Sequence, residues 1–116
     1  MDTRLYQIIE KYKDALSKLG IRADRIILFG SHAFGKAREY SDIDLVVISN
    51  DFKGMDLIER LEILGRTAAR IMGPVEALGY TEEEFSSKGK GTFIADEVKA
   101  KGIEVLAQAD WLFERF

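Results

Sequence analysis

The chain has 116 residues, with 17 Lys and Arg against 20 Asp and Glu, for a net charge of −3 at pH 7. That balance argues against direct binding to an extended nucleic-acid surface, which relies on clustered Lys and Arg. Zero cysteines exclude disulfides and thiolate metal sites, and the single histidine, His32, gives poor support to zinc ligation or a Ser-His-Asp triad, so carboxylate chemistry is what remains.

A chain of this size is expected to form one domain, residues 1–116, around a single core. It has no apolar run of membrane-spanning length and no signal-peptide pattern, so a cytoplasmic location is expected. Residues 3–19 predict an amphipathic helix, because Leu5, Ile8, Ile9, Tyr12, Leu16 and Leu19 keep helical spacing. Asp2 or Thr3 can cap its start, and Gly20 ends it.

Arg25 to Phe29 predicts the first strand, which runs into Gly30-Ser31. A glycine there lets the backbone approach a ligand. Ser31 is expected to cap a short helix through His32, Ala33 and Phe34, whose free amides, with the serine hydroxyl, favour an anion. The loop that follows carries Lys36 and Arg38, and a cation swung inward from it would offset charge building on a departing pyrophosphate.

The second strand is expected from about Asp42 to Ser49. Side chains alternate along a strand, so Asp42 and Asp44 point the same way with Cα atoms roughly 6.5 Å apart, while Ile43 and Leu45 face the core. Two like charges about 4 Å apart repel by roughly 4 kcal/mol at an effective dielectric near 20. A divalent cation between them removes that cost. Hard oxygen ligands with open positions suit magnesium, which also accepts substrate phosphates as ligands. The phosphate-sized loop and the carboxylate pair thus suit the two ends of a nucleoside triphosphate.

Asn50 to Gly54 reads as a loop and Asp56 to Met72 as the longest helix. Leu57, Leu61, Leu64, Ala68 and Ile71 form its apolar stripe, with Glu59, Arg60, Glu62, Arg66 and Arg70 largely elsewhere. Gly65 inside this helix suggests close packing, and Gly73-Pro74 stops it. Val75 to Tyr80 then predicts a short strand in which Glu76 sits among small and apolar neighbours. An acid in such company is costly unless paired, and a metal site one strand away would pair it. Its role would be to accept the proton of an attacking hydroxyl, or to orient that hydroxyl. The alternative is a solvent-facing acid on an edge strand.

Thr81 and Glu84 form a capping box, residues 86–91 read as a loop, Phe93 to Lys101 as a helix ended by Gly102, and Ile103 to Leu106 as a last strand. The tail carries Trp111, Leu112, Phe113 and Phe116, which must either pack on their own domain or meet a partner or a second copy.

Gly30-Ser31, a spacer of ten residues, and Asp42-Ile43-Asp44 together resemble the signature of the DNA polymerase beta superfamily of nucleotidyltransferases. The closer likeness is to its minimal nucleotidyltransferase (MNT) domain, over a core of residues 25–106. The resemblance implies an α/β (α+β) fold with a small mixed sheet of three or four strands and helices mainly on one face. It also implies that Gly30 and Ser31 contact nucleotide phosphates, that Asp42 and Asp44 bind metal, and that Glu76 is the third carboxylate, a position where the family most often carries aspartate. His32 stands where relatives often have arginine. The activity implied is Mg2+-dependent transfer of AMP from ATP to a hydroxyl. Stand-alone MNT domains resemble the antitoxin half of toxin–antitoxin pairs, which implies a HEPN-domain partner adenylylated on tyrosine. A non-catalytic interaction module, and a transferase acting on a small molecule or an RNA end, are the alternatives.

Overall fold

The computed structural model describes residues 3–35, 37, 41–89 and 91–105. Helix α1 (Thr3–Lys18) leads into strand β1 (Arg25–Phe29) and a 3-10 turn at Gly30–His32, followed by strand β2 (Ile43–Ile48) and a second 3-10 turn at Asn50–Phe52. Helix α2 (Leu57–Ile71), strand β3 (Val75–Tyr80) and the short helix α3 (Glu82–Ser86) come next, then a π-helical turn (Ile94–Lys99) and strand β4 (Ile103–Glu104). The sheet order is β3-β2-β1-β4. β1 lies antiparallel to β2 and β4, and β2 lies parallel to β3, with α2 as the crossover that a parallel pair requires. The mixed four-stranded sheet is the one expected from the sequence.

Alternation along the strands splits the interior in two. Ile26, Leu28, Ile43, Leu45 and Val47 face α1 and α2 and build the larger core with Leu5, Ile9, Leu16 and Leu64. Each such side chain removed from water contributes about 1.5–3 kcal/mol. Tyr12 is fully buried between the two helices, and its hydroxyl donates to the Leu64 carbonyl at 2.8 Å, so the polar tip is satisfied where burial drives its pKa upward. On the reverse face Ile27, Val46 and Ile48 pack beneath Phe85, Ile94 and Val98 of α3 and the π-helical turn. The two long helices therefore share one face, and the second face carries a shorter cover over part of its length.

Helix ends follow local chemistry. Asp56 caps α2 by accepting from the Glu59 amide at 2.8 Å, and the Thr81–Glu84 capping box forms as expected. Several expectations are corrected. Ser31 is not an N-cap: the turn starts one residue earlier, at Gly30, with Phe29 in the cap position and no side-chain bond. Met72, in the left-handed region at φ 54°, closes α2, ahead of Gly73. Phe93 to Lys101 is not an ordinary α-helix but a π-helical turn at Ile94–Lys99. Arg60 is buried, while Leu57 and Leu61 are 64% and 44% exposed, so the packed stripe of α2 is rotated from the one expected. Nothing lies within 4 Å of a Cβ built at Gly65, so close packing at that position is also overturned.

Arg60 turns inward because its guanidinium satisfies several acceptors at once. It donates to the carbonyls of Met55 (3.0 Å), Phe52 (3.0 Å) and Gly79 (3.2 Å) and forks onto Glu84 at 2.6 and 3.1 Å. The 52–55 turn, strand β3 and helix α3 meet on that one side chain.

Candidate active site

The phosphate-loop candidate and the acids meet at one end of the sheet. Gly30, at φ +75°, begins the turn after β1, and a Cβ there would collide with Asp44 Oδ2. Glycine is thus required twice over: the backbone is left-handed, and the space a side chain would need is taken by a carboxylate. Phe29 pairs across the sheet with Asp44, which is what brings the turn against that carboxylate. Ser31 and His32 are half-buried within the turn. His32 Nε2 donates to the Ser41 carbonyl at 3.1 Å and so ties the turn to the residue preceding the acid pair. That clasp was invisible in the sequence, where His32 is notable as the single histidine, directly after Gly30-Ser31.

Asp44 is half-buried in β2, and Glu76 is its register neighbour on β3. Neighbours in register point to the same face, here the face opposite α1 and α2, and Asp42 lies two residues before Asp44. The electrostatics agree. Burial raises the Asp44 pKa above the usual carboxylate range, and the charges of Glu76 and Asp42 raise it further, while His32 pulls it down. β3 is an edge strand and Glu76 is exposed, as a solvent-facing acid would be. Its registry with Asp44 nonetheless adds negative charge at the point where two acids already sit.

Among the described residues, no group of three acidic or histidine side chains closes into a metal cage. Magnesium does not need one, because it commonly takes one or two carboxylates and completes its shell with waters and substrate phosphates. The donor set, all hard oxygens that repel one another, fits such an ion. Lys36 and Arg38 lie outside the described residues, as do Asp2 and the apolar tail at 106–116. The structure therefore brings together Gly30, Asp44, Glu76 and Asp42, with Ser31 and His32 in the adjoining turn.

Comparison with known proteins shows the family and the fold. The nucleotidyltransferase domain family matches residues 9–90. A Methanocaldococcus jannaschii protein, a protein adenylyltransferase by name, is 31% identical over 102 residues, which cover 87% of this chain and 98% of its own. Among solved structures, a toxin–antitoxin complex with AMP-PNP aligns at TM-score 0.59 and 25% identity over 90% of this chain and 78% of that one. A complex of a tri-AMPylated Shewanella oneidensis HEPN toxin with its MNT antitoxin aligns at TM-score 0.53 and 24% identity, covering 97% and 80% of the two chains.

Proposed function

The chain belongs to the nucleotidyltransferase domain family, and on that premise we propose that it transfers AMP from ATP to a hydroxyl of a HEPN-domain partner, acting as an MNT-type antitoxin. The observation that carries this reading is the registry of Glu76 with Asp44 beside the Gly30 turn. It supports a site made of acids gathered against a glycine turn at one end of the sheet.

In this reading one or two of the carboxylates of Asp42, Asp44 and Glu76 would hold a divalent cation such as Mg2+, which would supply charge neutralisation to the triphosphate. Gly30 lets the triphosphate approach the backbone, and Ser31 supplies a hydroxyl donor to it. The acceptor hydroxyl oxygen forms a bond to the α-phosphorus as the bond to the bridging oxygen breaks and pyrophosphate leaves. Glu76, exposed on β3, takes or orients the hydroxyl proton. Lys36 and Arg38 remain the candidates for meeting charge on the pyrophosphate. Most of the acceleration comes from positioning and charge complementarity, as is usual for phosphoryl-type transfer.

The names of the relatives support the acceptor: one is named as a protein adenylyltransferase, and another is an antitoxin solved with an AMPylated HEPN toxin. The test is incubation of the purified chain with Mg2+ and α-labelled ATP, with and without the protein encoded by its neighbouring gene. Label on that protein, lost at least about a hundredfold in Asp42→Ala/Asp44→Ala, is expected. A second reading, a non-catalytic antitoxin, is favoured by the longer Glu76 in place of aspartate. It would appear as partner binding that survives the double substitution with no label moved. Label on a small molecule or RNA end, formed by the chain alone, would point to the third.

A further inference from the structure

We propose that the outer face of α2 is a self-association surface on which two copies of this chain pair antiparallel about a dyad at Gly65. The argument starts from the width of the helix's apolar arc. At 3.6 residues per turn, apolar or small residues together with the buried Arg60 and Thr67 occupy roughly 240° of α2, far more than the roughly 100° a helix needs to dock on its own domain. The half that packs carries Leu64 and Ile71 against the larger core. The other half is open: Leu57 is 64% exposed, Ile58 66%, Leu61 44% and Met72 91%. Gly65 and Ala69 lie among them, both exposed, and Gly65 has nothing within 4 Å of where a Cβ would stand.

This is a large–small–large relief along one helix. Bulky residues stand at both ends, and a notch in the middle is shallow enough for another backbone to come close. An antiparallel copy centred on Gly65 matches it, because Leu61 then meets Ala69 of the mate and Ile58 meets its Met72. The rim selects the same arrangement. Glu62 and Arg66 sit side by side at the edge of the open face, exposed and without an ion pair among the described residues. Reversing the mate's direction sets Glu62 against its Arg66 and Arg66 against its Glu62, two reciprocal pairs flanking the dyad.

The acids of the candidate site lie on the opposite face of the sheet, so pairing through α2 leaves both sites open. One 15-residue helix is about 22 Å long, and its face falls below the roughly 800 Å2 per partner of a standard interface. Association is therefore weak, with a Kd on the order of 10 μM or above.

Sedimentation equilibrium from micromolar to millimolar concentration should show the 13.1 kDa chain approaching twice its mass. Leu61→Glu should weaken this about a hundredfold. Glu62→Arg and Arg66→Glu, surface changes that leave the fold intact, should each weaken it about tenfold, and mixing those two variants should restore pairing as a heterodimer. Because the chain has no cysteine, Gly65→Cys gives a direct reading of the dyad. It should oxidise to a disulfide-linked dimer faster than Lys53→Cys, an exposed control off this face. A chain that stays monomeric at millimolar concentration overturns the proposal, whatever else that face then binds, and so does failure of the charge-reversed mixture to associate.

Discussion

Asp44 answers to two opposing demands. Its strand holds it half-buried against the Gly30 turn, while Glu76 and Asp42 raise the cost of its charge. Without a cation that repulsion is a net liability, and like charges on neighbouring strands cost about 0.2–1 kcal/mol. Asp44→Asn should therefore raise the metal-free melting temperature by a few degrees while abolishing nucleotidyl transfer. A thermal melt in chelator shows which sign holds, and a lowered Tm would mean that the carboxylate has a structural partner instead. Gly30 separates conformation from contact in the same way. Gly35→Ala meets only the left-handed backbone at φ +71° with open space around it, a cost of about 1–2 kcal/mol. Gly30→Ala meets the same strain at φ +75° and drives a methyl into Asp44, so urea denaturation should place it clearly below Gly35→Ala, with nucleotide binding lost in Gly30→Ala alone.

At the scale of elements, what the sequence reveals depends on whether an element is shaped by its own period or by its neighbours. β1 and β3 form on the residues expected, and β2 is one residue shorter at each end, because alternation and turn residues are local signals. α2 forms where expected, yet its orientation was misread. Periodicity treats an arginine as a surface residue, whereas Arg60 faces inward because carbonyls from Phe52, Met55 and Gly79 converge on it, which no local pattern encodes. Arg60→Met keeps much of the volume but takes the guanidinium away from the Met55 and Gly79 carbonyls and the Glu84 carboxylate, and should cost about 3 kcal/mol in chemical denaturation. Its partner sets a pH dependence. Chiefly through its bonds from Arg60, Glu84 is held down to about 2 from an ordinary 4.5. A carboxyl whose folded pKa is depressed stabilises fully above its unfolded value and loses that contribution as pH falls toward its folded one. Stability should thus drop more steeply between pH 4.5 and 2 in the native chain than in Glu84→Gln, as read from urea midpoints across that window. Parallel slopes would place the protonation-linked loss elsewhere.

Across the whole molecule the sheet separates two jobs. The face under α1 and α2 supplies most of the apolar burial, and the opposite face gives one end to the acids and the rest to a small cover of α3 and the π-helical turn. The candidate site was legible because Gly30, Asp42, Asp44 and Glu76 mark strand ends, and strand ends of a mixed sheet bring distant segments together. The His32 clasp was not, since it depends on how the loop closes on Ser41. The unequal division also implies unequal stability. The cover rests on a five-residue helix and a six-residue turn over a cluster of Ile27, Val46, Ile48, Phe85, Ile94 and Val98, whereas α1 and α2 have 16 and 15 residues and lock together through Tyr12. Native-state hydrogen exchange should find the amides of Phe85, Ser87 and Ala100 opening at a lower free energy than those of Leu16 and Leu64. They would do so as one unit, because the two pieces of the cover share one apolar cluster and neither buries its residues alone. Exchange at a single common free energy across both sets would show that the sheet couples its faces too tightly for the cover to lift separately. In that case the acids at its end work on a fixed surface.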